Sequence, residues 1–176
     1  MYKNKKIKIN GESIYLKSLD IDNATEEYAS WLNDKEVNHY LETRVATRED
    51  LEKYIEEKNK SDEALFLGIF SIDTDEHIGN IKLEPIDFEK KQGTIGILIG
   101  NKKYWGKGVG TEATKLLVDY AFRELSLEEV NLGVILENKA AIRVYEKVGF
   151  EIVNIEKKSI RHGDEFFDKA VMVIKK

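Results

Sequence analysis

The segment Trp105-Gly106-Lys107-Gly108-Val109-Gly110-Thr111 joins residue types and spacing that could do chemistry. It lies between a run of β-formers and a stretch of helical periodicity, so its glycines would expose backbone N–H groups at the positive end of a helix, where an anion is favoured. Glycine suits the position because a side chain would hold phosphate oxygens away, and Lys107 adds a mobile positive charge. The pattern predicts a diphosphate cradle; the competing reading is a plain turn. A P-loop is excluded, since no Gly-Lys-Ser/Thr ending follows at the required spacing. Gly108, Gly110 and Ala113 match the dinucleotide form G-x-G-x-x-A, with Glu128 about 20 residues on. Asn101 to Lys107 nevertheless separate those glycines from the preceding strand, and too little chain follows for a doubly wound sheet. A nicotinamide-dinucleotide enzyme stays as the weaker alternative.

Composition narrows the chemistry further. With no cysteine, disulfides, thiolate metal sites and a cysteine nucleophile are excluded. The three histidines, His39, His77 and His162, lack ligand spacing, so no metal is expected. A net charge of −5, with basic residues interspersed among acids, argues against nucleic acid and would favour a cationic acceptor such as a polyamine. The longest near-apolar run, 64–72, is far short of the ~20 residues of a membrane helix, and the N-terminus has no signal-type core, so a cytoplasmic protein without membrane attachment is expected.

The elements that must position the motif alternate in type. Ile14, Leu16 and Leu19 suggest a first strand, and Asp22 or Asn23 a cap for a helix carrying Tyr28, Trp31 and Leu32. A second helix should open at Thr47, with Asp50 as the acid of a capping box. Leu65 to Ser71 and His77 to Leu83 flank an acidic turn and read as a hairpin. A third run, Thr94 to Gly100, carries glycines that mark a bulge or a close backbone approach. From Gly108, Ala113, Leu116, Leu117, Tyr120 and Ala121 form one helical stripe. A strand from Val130 to Ile135 follows, then a helix capped by Asn138 and stopped at Gly149, and two closing strands, Phe150 to Ile160 and Glu165 to Ile174. One mixed domain fits the whole length.

With these residues in view, Trp105-x-x-Gly108-x-Gly110 resembles the acyl-CoA motif Gln/Arg-x-x-Gly-x-Gly/Ala of the GNAT (N-acetyltransferase) superfamily, tryptophan replacing the first residue. The helix opening Gly110-Thr111-Glu112-Ala113 looks like the branch that includes ribosomal-protein alanine, polyamine and amino-sugar acetyltransferases. Segment 138–150, with Asn138, Ala141, Tyr145, Gly149 and Phe150, is similar to the superfamily's C-terminal coenzyme motif, and segment 31–41 more weakly to its acceptor-side helices.

The resemblance implies an α/β (α+β) fold: a single domain over 1–176, with acceptor-side helices at about 22–60 and a coenzyme core at about 94–150. Its sheet would be mixed and mostly antiparallel, of about seven strands, with helices on both faces and a splay between two parallel strands ending at Gly100 and Ile135. It implies acetyl-CoA as cosubstrate, no metal, and direct transfer to an amine in a ternary complex. Coenzyme contacts would come from Leu98, Ile99, Gly100, Trp105, Gly106, Lys107, Gly108, Val109, Gly110, Thr111, Asn138, Ala141 and Tyr145. A backbone N–H near Leu98 or Ile99 would stabilise the oxyanion, and Tyr145 would protonate the leaving thiolate. Glu84 is the first candidate for the base and Glu36 the second, with a water relay as the other route. Trp31, Glu36, Tyr40 and Arg44 would face the acceptor, a small-molecule amine or a peptide N-terminus. A monomer or homodimer is expected, and a non-catalytic acyl-CoA sensor remains the alternative function.

Overall fold

The computed structural model describes residues 6–41 and 45–176. Its strands are β1 (Lys8–Asn10), β2 (Ile14–Ser18), β3 (Leu65–Ser71), β4 (His77–Asp87), β5 (Gln92–Ile99), β6 (Glu129–Ile135), β7 (Glu151–His162) and β8 (Glu165–Lys175). The helices are α1 (Glu26–Asn33), α2 (Arg48–Lys60), α3 (Val109–Arg123) and α4 (Lys139–Val148). All strands join one sheet in the order β1-β2-β3-β4-β5-β6-β8-β7, antiparallel except at β5–β6.

That one parallel junction organises the molecule. β5 and β6 pair only at Gln92–Glu129, Gly93–Val130 and Thr94–Asn131. Beyond Thr94, β5 stays with β4 as far as Gly79–Ile99, while β6 stays with β8 as far as Ile135–Lys169. The two strands therefore part, and a wedge opens toward Ile99 and Ile135.

Side-chain alternation gives the sheet two buried faces. Leu65, Leu67 and Ile69 of β3 join Ile81 and Leu83 of β4 against Ala113, Leu117 and Ala121 of α3, with Ile142 and Tyr145 of α4 in the same core. Phe66 and Phe70 point the other way, against Tyr28, Trp31 and Leu32 of α1 and Leu51 and Ile55 of α2. A fully buried leucine such as Leu117 contributes roughly 1.5–3 kcal/mol, so α3 is fixed by its apolar stripe and its N-terminus is free to serve a ligand.

Among the described residues two expectations are refined and a third holds. The sheet has eight strands rather than about seven, because β1 is too short for alternation to be legible. Asp22 and Asn23 do not cap the first helix: they belong to a 3-10 turn, Ile21–Asn23, where the Asn23 side chain is consumed by a capping box with Asp20. Thr25 caps α1 instead, accepting from the Tyr28 N–H. At α2 the expected cap is present, with Thr47 and Asp50 bonded reciprocally.

Candidate active site

The turn before α3 is built from left-handed backbone. Gly106 has φ +71° and Gly108 φ +79°, and a Cβ on either would meet nothing within 4 Å, so the turn faces open space. Gly108 caps α3 without a side chain. A helix leaves its first N–H groups without internal partners, so those of Val109, Gly110 and Thr111 converge at the positive end of a 15-residue helix. The one acid of that first turn, Glu112, is directed elsewhere: its carboxylate accepts from the Glu12 N–H at 2.5 Å and from the Ser13 N–H at 3.0 Å. Burial pushes Glu112 up, but the hydrogen bonds from Ser13 and Glu12 outweigh it and hold the carboxyl below its usual range. Its negative charge thus fastens α3 to the β1–β2 turn instead of opposing an anion.

β5 presents backbone to the wedge. The Gly100 N–H donates to the Ile78 carbonyl at 3.0 Å, and antiparallel bonding alternates, so Gly96, Leu98 and Gly100 turn their backbone groups toward β4. Those of Ile97 and Ile99 face the gap. The Ile99 carbonyl accepts from the Trp105 indole N–H at 2.8 Å. This accounts for tryptophan at the position where the motif carries Gln or Arg: the indole ties the turn to the strand. The Ile97 backbone and the Ile99 N–H remain to meet a chain laid in the wedge.

α4 closes the other side. A Cβ on Gly110 would sit 3.7 Å from Val144, so the first turn of α3 packs directly on α4. The Asn138 side-chain oxygen accepts from the Ala141 N–H at 3.2 Å, which leaves the amide nitrogen outside the cap. Tyr145 is buried, edge-on to Phe150 at 5.9 Å, and burial pushes its hydroxyl up to about 12. The phenol therefore stays protonated throughout the neutral range and keeps an O–H to donate.

The acceptor-side candidates divide. Trp31 is buried rather than lining an open pocket: it lies on Gly100, where a Cβ would come within 2.0 Å of the indole, and touches His77 at 5.1 Å. Glu36 is exposed and tied to Lys102 at 2.5 Å, which also holds Asp34 at 2.7 Å. Tyr40 is partly exposed, edge-on to His39 at 4.5 Å. Arg44 lies outside the described residues. Glu84 is not the free carboxylate a base requires. It accepts from Lys58 at 2.5 Å and Lys82 at 3.2 Å. Burial pushes it up, but the hydrogen bonds from the two lysines more than offset this and hold it below the usual carboxylate range.

Sequence reasoning missed Lys82, Lys58, Tyr54 and the pairing of half-buried His77 with buried Asn80, joined at 2.9 Å. The period-two pattern of β4 carried a signal for two of them: Asn80 and Lys82 share a parity opposite to the apolar Ile81 and Leu83. Among the described residues no group of His, Cys, Asp and Glu could hold a metal ion, and no helix is long and apolar enough to cross a membrane.

A turn of backbone N–H groups at a helix start, beside a strand pair that parts, is the geometry the sequence motif requires, and comparison with known proteins decides the family. The acetyltransferase (GNAT) domain model matches residues 14–151. The chain belongs to the GNAT family. A relative from Bacillus subtilis (strain 168), "Probable N-acetyltransferase YjcK", is 30% identical over 94% of this chain and 96% of its own. The spermidine N-acetyltransferase of Vibrio cholerae, solved with CoA and spermine, superposes with a TM-score of 0.85 at 20% identity, over 94% of this chain and 96% of that one. A GNAT acetyltransferase structure from Bacillus anthracis gives a TM-score of 0.85 at 24% identity, over 96% and 98%. The protein is thus an acetyl-CoA-dependent acyltransferase of the N-acetyltransferase kind, on a GNAT fold.

Proposed function

We propose that this GNAT protein transfers an acetyl group from acetyl-CoA to a primary amine by direct attack within a ternary complex. The observation that carries the reading is the parting of β5 and β6 beside the open N-terminus of α3. The residues present fit the coenzyme: Gly106 and Gly108 leave room that any Cβ would occupy, and the first N–H groups of α3 suit a diphosphate. Lys107, whose ammonium lies over the Tyr104 ring at 5.5 Å, can swing toward the same charge. The Ile97 backbone would bond the pantetheine amides as an added strand does. Bound acetyl-CoA supplies the thioester carbonyl that the amine attacks.

The chain's own groups do the rest. The Ile99 N–H faces the wedge and would donate to the carbonyl oxygen as negative charge develops there, a form of stabilisation that needs no side chain. The carbon–nitrogen bond forms as the carbon–sulfur bond breaks, and the sulfur leaves carrying charge. Tyr145 would meet it: a phenol held to about 12 is a weaker acid than the thiol it faces, so its part is a hydrogen bond that stabilises the leaving sulfur, and the second proton, shed by the nitrogen as the amide forms, ends on that sulfur with the phenol still protonated. The amine must lose a proton before attack. With Glu84 engaged by two lysines and Glu36 by Lys102, we assign that proton to water in the groove.

The test is release of free thiol from acetyl-CoA across a panel of primary amines, with the acetylated product identified by mass. Turnover that depends on the amine supports transfer. CoA binding without turnover for any amine would favour an acyl-CoA sensor, and binding of NAD in place of acetyl-CoA a dinucleotide enzyme.

A further inference from the structure

The sheet face opposite α3 carries charge that the coenzyme end leaves unused. On β4, Ile81 and Leu83 enter the α3 core, while Asn80, Lys82 and Glu84 face the side of α1 and α2. Lys82 stands opposite Gly96 of β5, and a Cβ on Gly96 would meet only the Lys82 side chain, at 3.4 Å. The aliphatic stem of Lys82 thus lies across a glycine just past Thr94, where β5 leaves β6. The Lys82 ammonium donates to Glu84 at 3.2 Å and to the Tyr54 hydroxyl of α2 at 3.4 Å.

One carboxylate here serves two ammoniums. Lys58 reaches the other oxygen of Glu84 at 2.5 Å, so the cluster holds two positive charges and one negative, an excess of one in a chain whose net charge is −5. Its side chains are 18%, 37% and 23% exposed for Lys58, Lys82 and Glu84, so water screens them only in part. Across the wedge, Lys169 lies over Gly133 in the same manner, but Glu156 neutralises it at 2.6 Å. Of these two lysines laid over glycines, Lys82 is the one whose cluster keeps an excess of positive charge. Whole-chain charge favours a cationic acceptor; the local balance points the other way.

Resting on the acetyl-transfer reading, we propose that Lys82, with Lys58 and the Tyr54 hydroxyl, recognises an anionic group on the acceptor, a carboxylate or phosphate carried on the same molecule as the amine. Glu84 is then a positioning residue that holds the two ammoniums in place. Gly96 and Ile99 are three residues apart on β5, which at about 3.3 Å per residue sets the anion roughly 10 Å along the strand from the oxyanion donor. A chain of about six atoms between amine and anion spans most of that distance, and the lysine stem covers the remainder.

The experiment compares acceptors of one length and three charges: aminohexanoate, hexylamine and diaminohexane, with aminohexyl phosphate as a fourth arm to tell phosphate from carboxylate. The expected kcat/KM for the anionic acceptors exceeds that for diaminohexane by about tenfold or more, the scale of one charge-assisted hydrogen bond. Lys82→Met should erase the advantage of aminohexanoate over hexylamine, and Lys82→Arg should retain it. Equal or better turnover of diaminohexane, or an advantage that survives Lys82→Met, would overturn the anion assignment while leaving acetyl transfer intact. If no amine is turned over, both readings fall together.

Discussion

Replacing Gly108 separates backbone strain from coenzyme contact. At φ +79° and ψ 0°, Gly108 occupies a region that a Cβ penalises by about 1–2 kcal/mol, and asparagine least among residues other than glycine. Nothing lies within 4 Å of the new Cβ, so no packing clash adds to that cost. Gly108→Ala should therefore lower stability by about 1–2 kcal/mol, or about 2–8 °C in Tm for a chain of this size, and Gly108→Asn by less. Either side chain would project into the open space beside the first turn of α3, and on the phosphate assignment it competes there with the bound diphosphate. Losing one hydrogen bond to a charged phosphate costs about 1.5–3 kcal/mol, roughly ten- to a hundredfold in Kd. Calorimetric titration with CoA beside thermal unfolding would read the two effects separately. If Gly108→Asn bound CoA as tightly as the wild type, the phosphate assignment would be refuted, since strain alone leaves a folded protein's contacts intact.

Three further outcomes are expected. Tyr145→Phe should lower kcat by about a hundredfold with little change in CoA affinity, because a buried donor to sulfur is lost without a change of shape; single-turnover kinetics within twofold of wild type would contradict this. For the pH profile, an acceptor amine of pKa near ~10.4 gains free base about tenfold per pH unit, so kcat/KM should rise with a slope near one through the neutral range. Glu84, held below its ordinary value, is ionised throughout that range and should add no inflection, so Glu84→Gln should keep the slope; an acid limb present in wild type and absent in the variant would restore Glu84 as the base. The same depressed value means that the Glu84 pairing stabilises the fold above the unfolded carboxylate range and loses that contribution progressively as pH falls from there through the lower folded value. Gly100→Ala would drive a Cβ to 2.0 Å from Trp31, an overpacking cost of about 1–3 kcal/mol, measurable by denaturant unfolding and partly relieved by Trp31→Ala in the same chain.

Much of the coenzyme end was legible because its determinants are local. Glycines at 106 and 108, the apolar stripe of α3, Asn138 at a cap and Gly149 at a stop declare themselves within a few residues. The proposed acceptor face was not, because its charges meet only after α2 docks on β4. Lys58 and Glu84 are 26 residues apart, and nothing near Glu84 announces that Lys58 will neutralise it. Trp31 reads as an aromatic on an amphipathic helix; that it covers Gly100 follows from the seating of α1 over the end of β5, a tertiary fact. Trp105 looked like a departure from the motif until the register of β5 turned the Ile99 carbonyl toward its indole.

The central claim is that backbone N–H groups at 106–111 grip a diphosphate while the opened edge of β5 receives the pantetheine arm. Amide resonances of the uniformly labelled protein, followed during titration with CoA, test it most directly. The account predicts the largest shifts at Gly106, Gly108, Val109, Gly110 and Thr111, together with Ile97 and Ile99, and small ones along β1 and β7. Shifts concentrated elsewhere, with those seven amides unmoved at saturation, would contradict it.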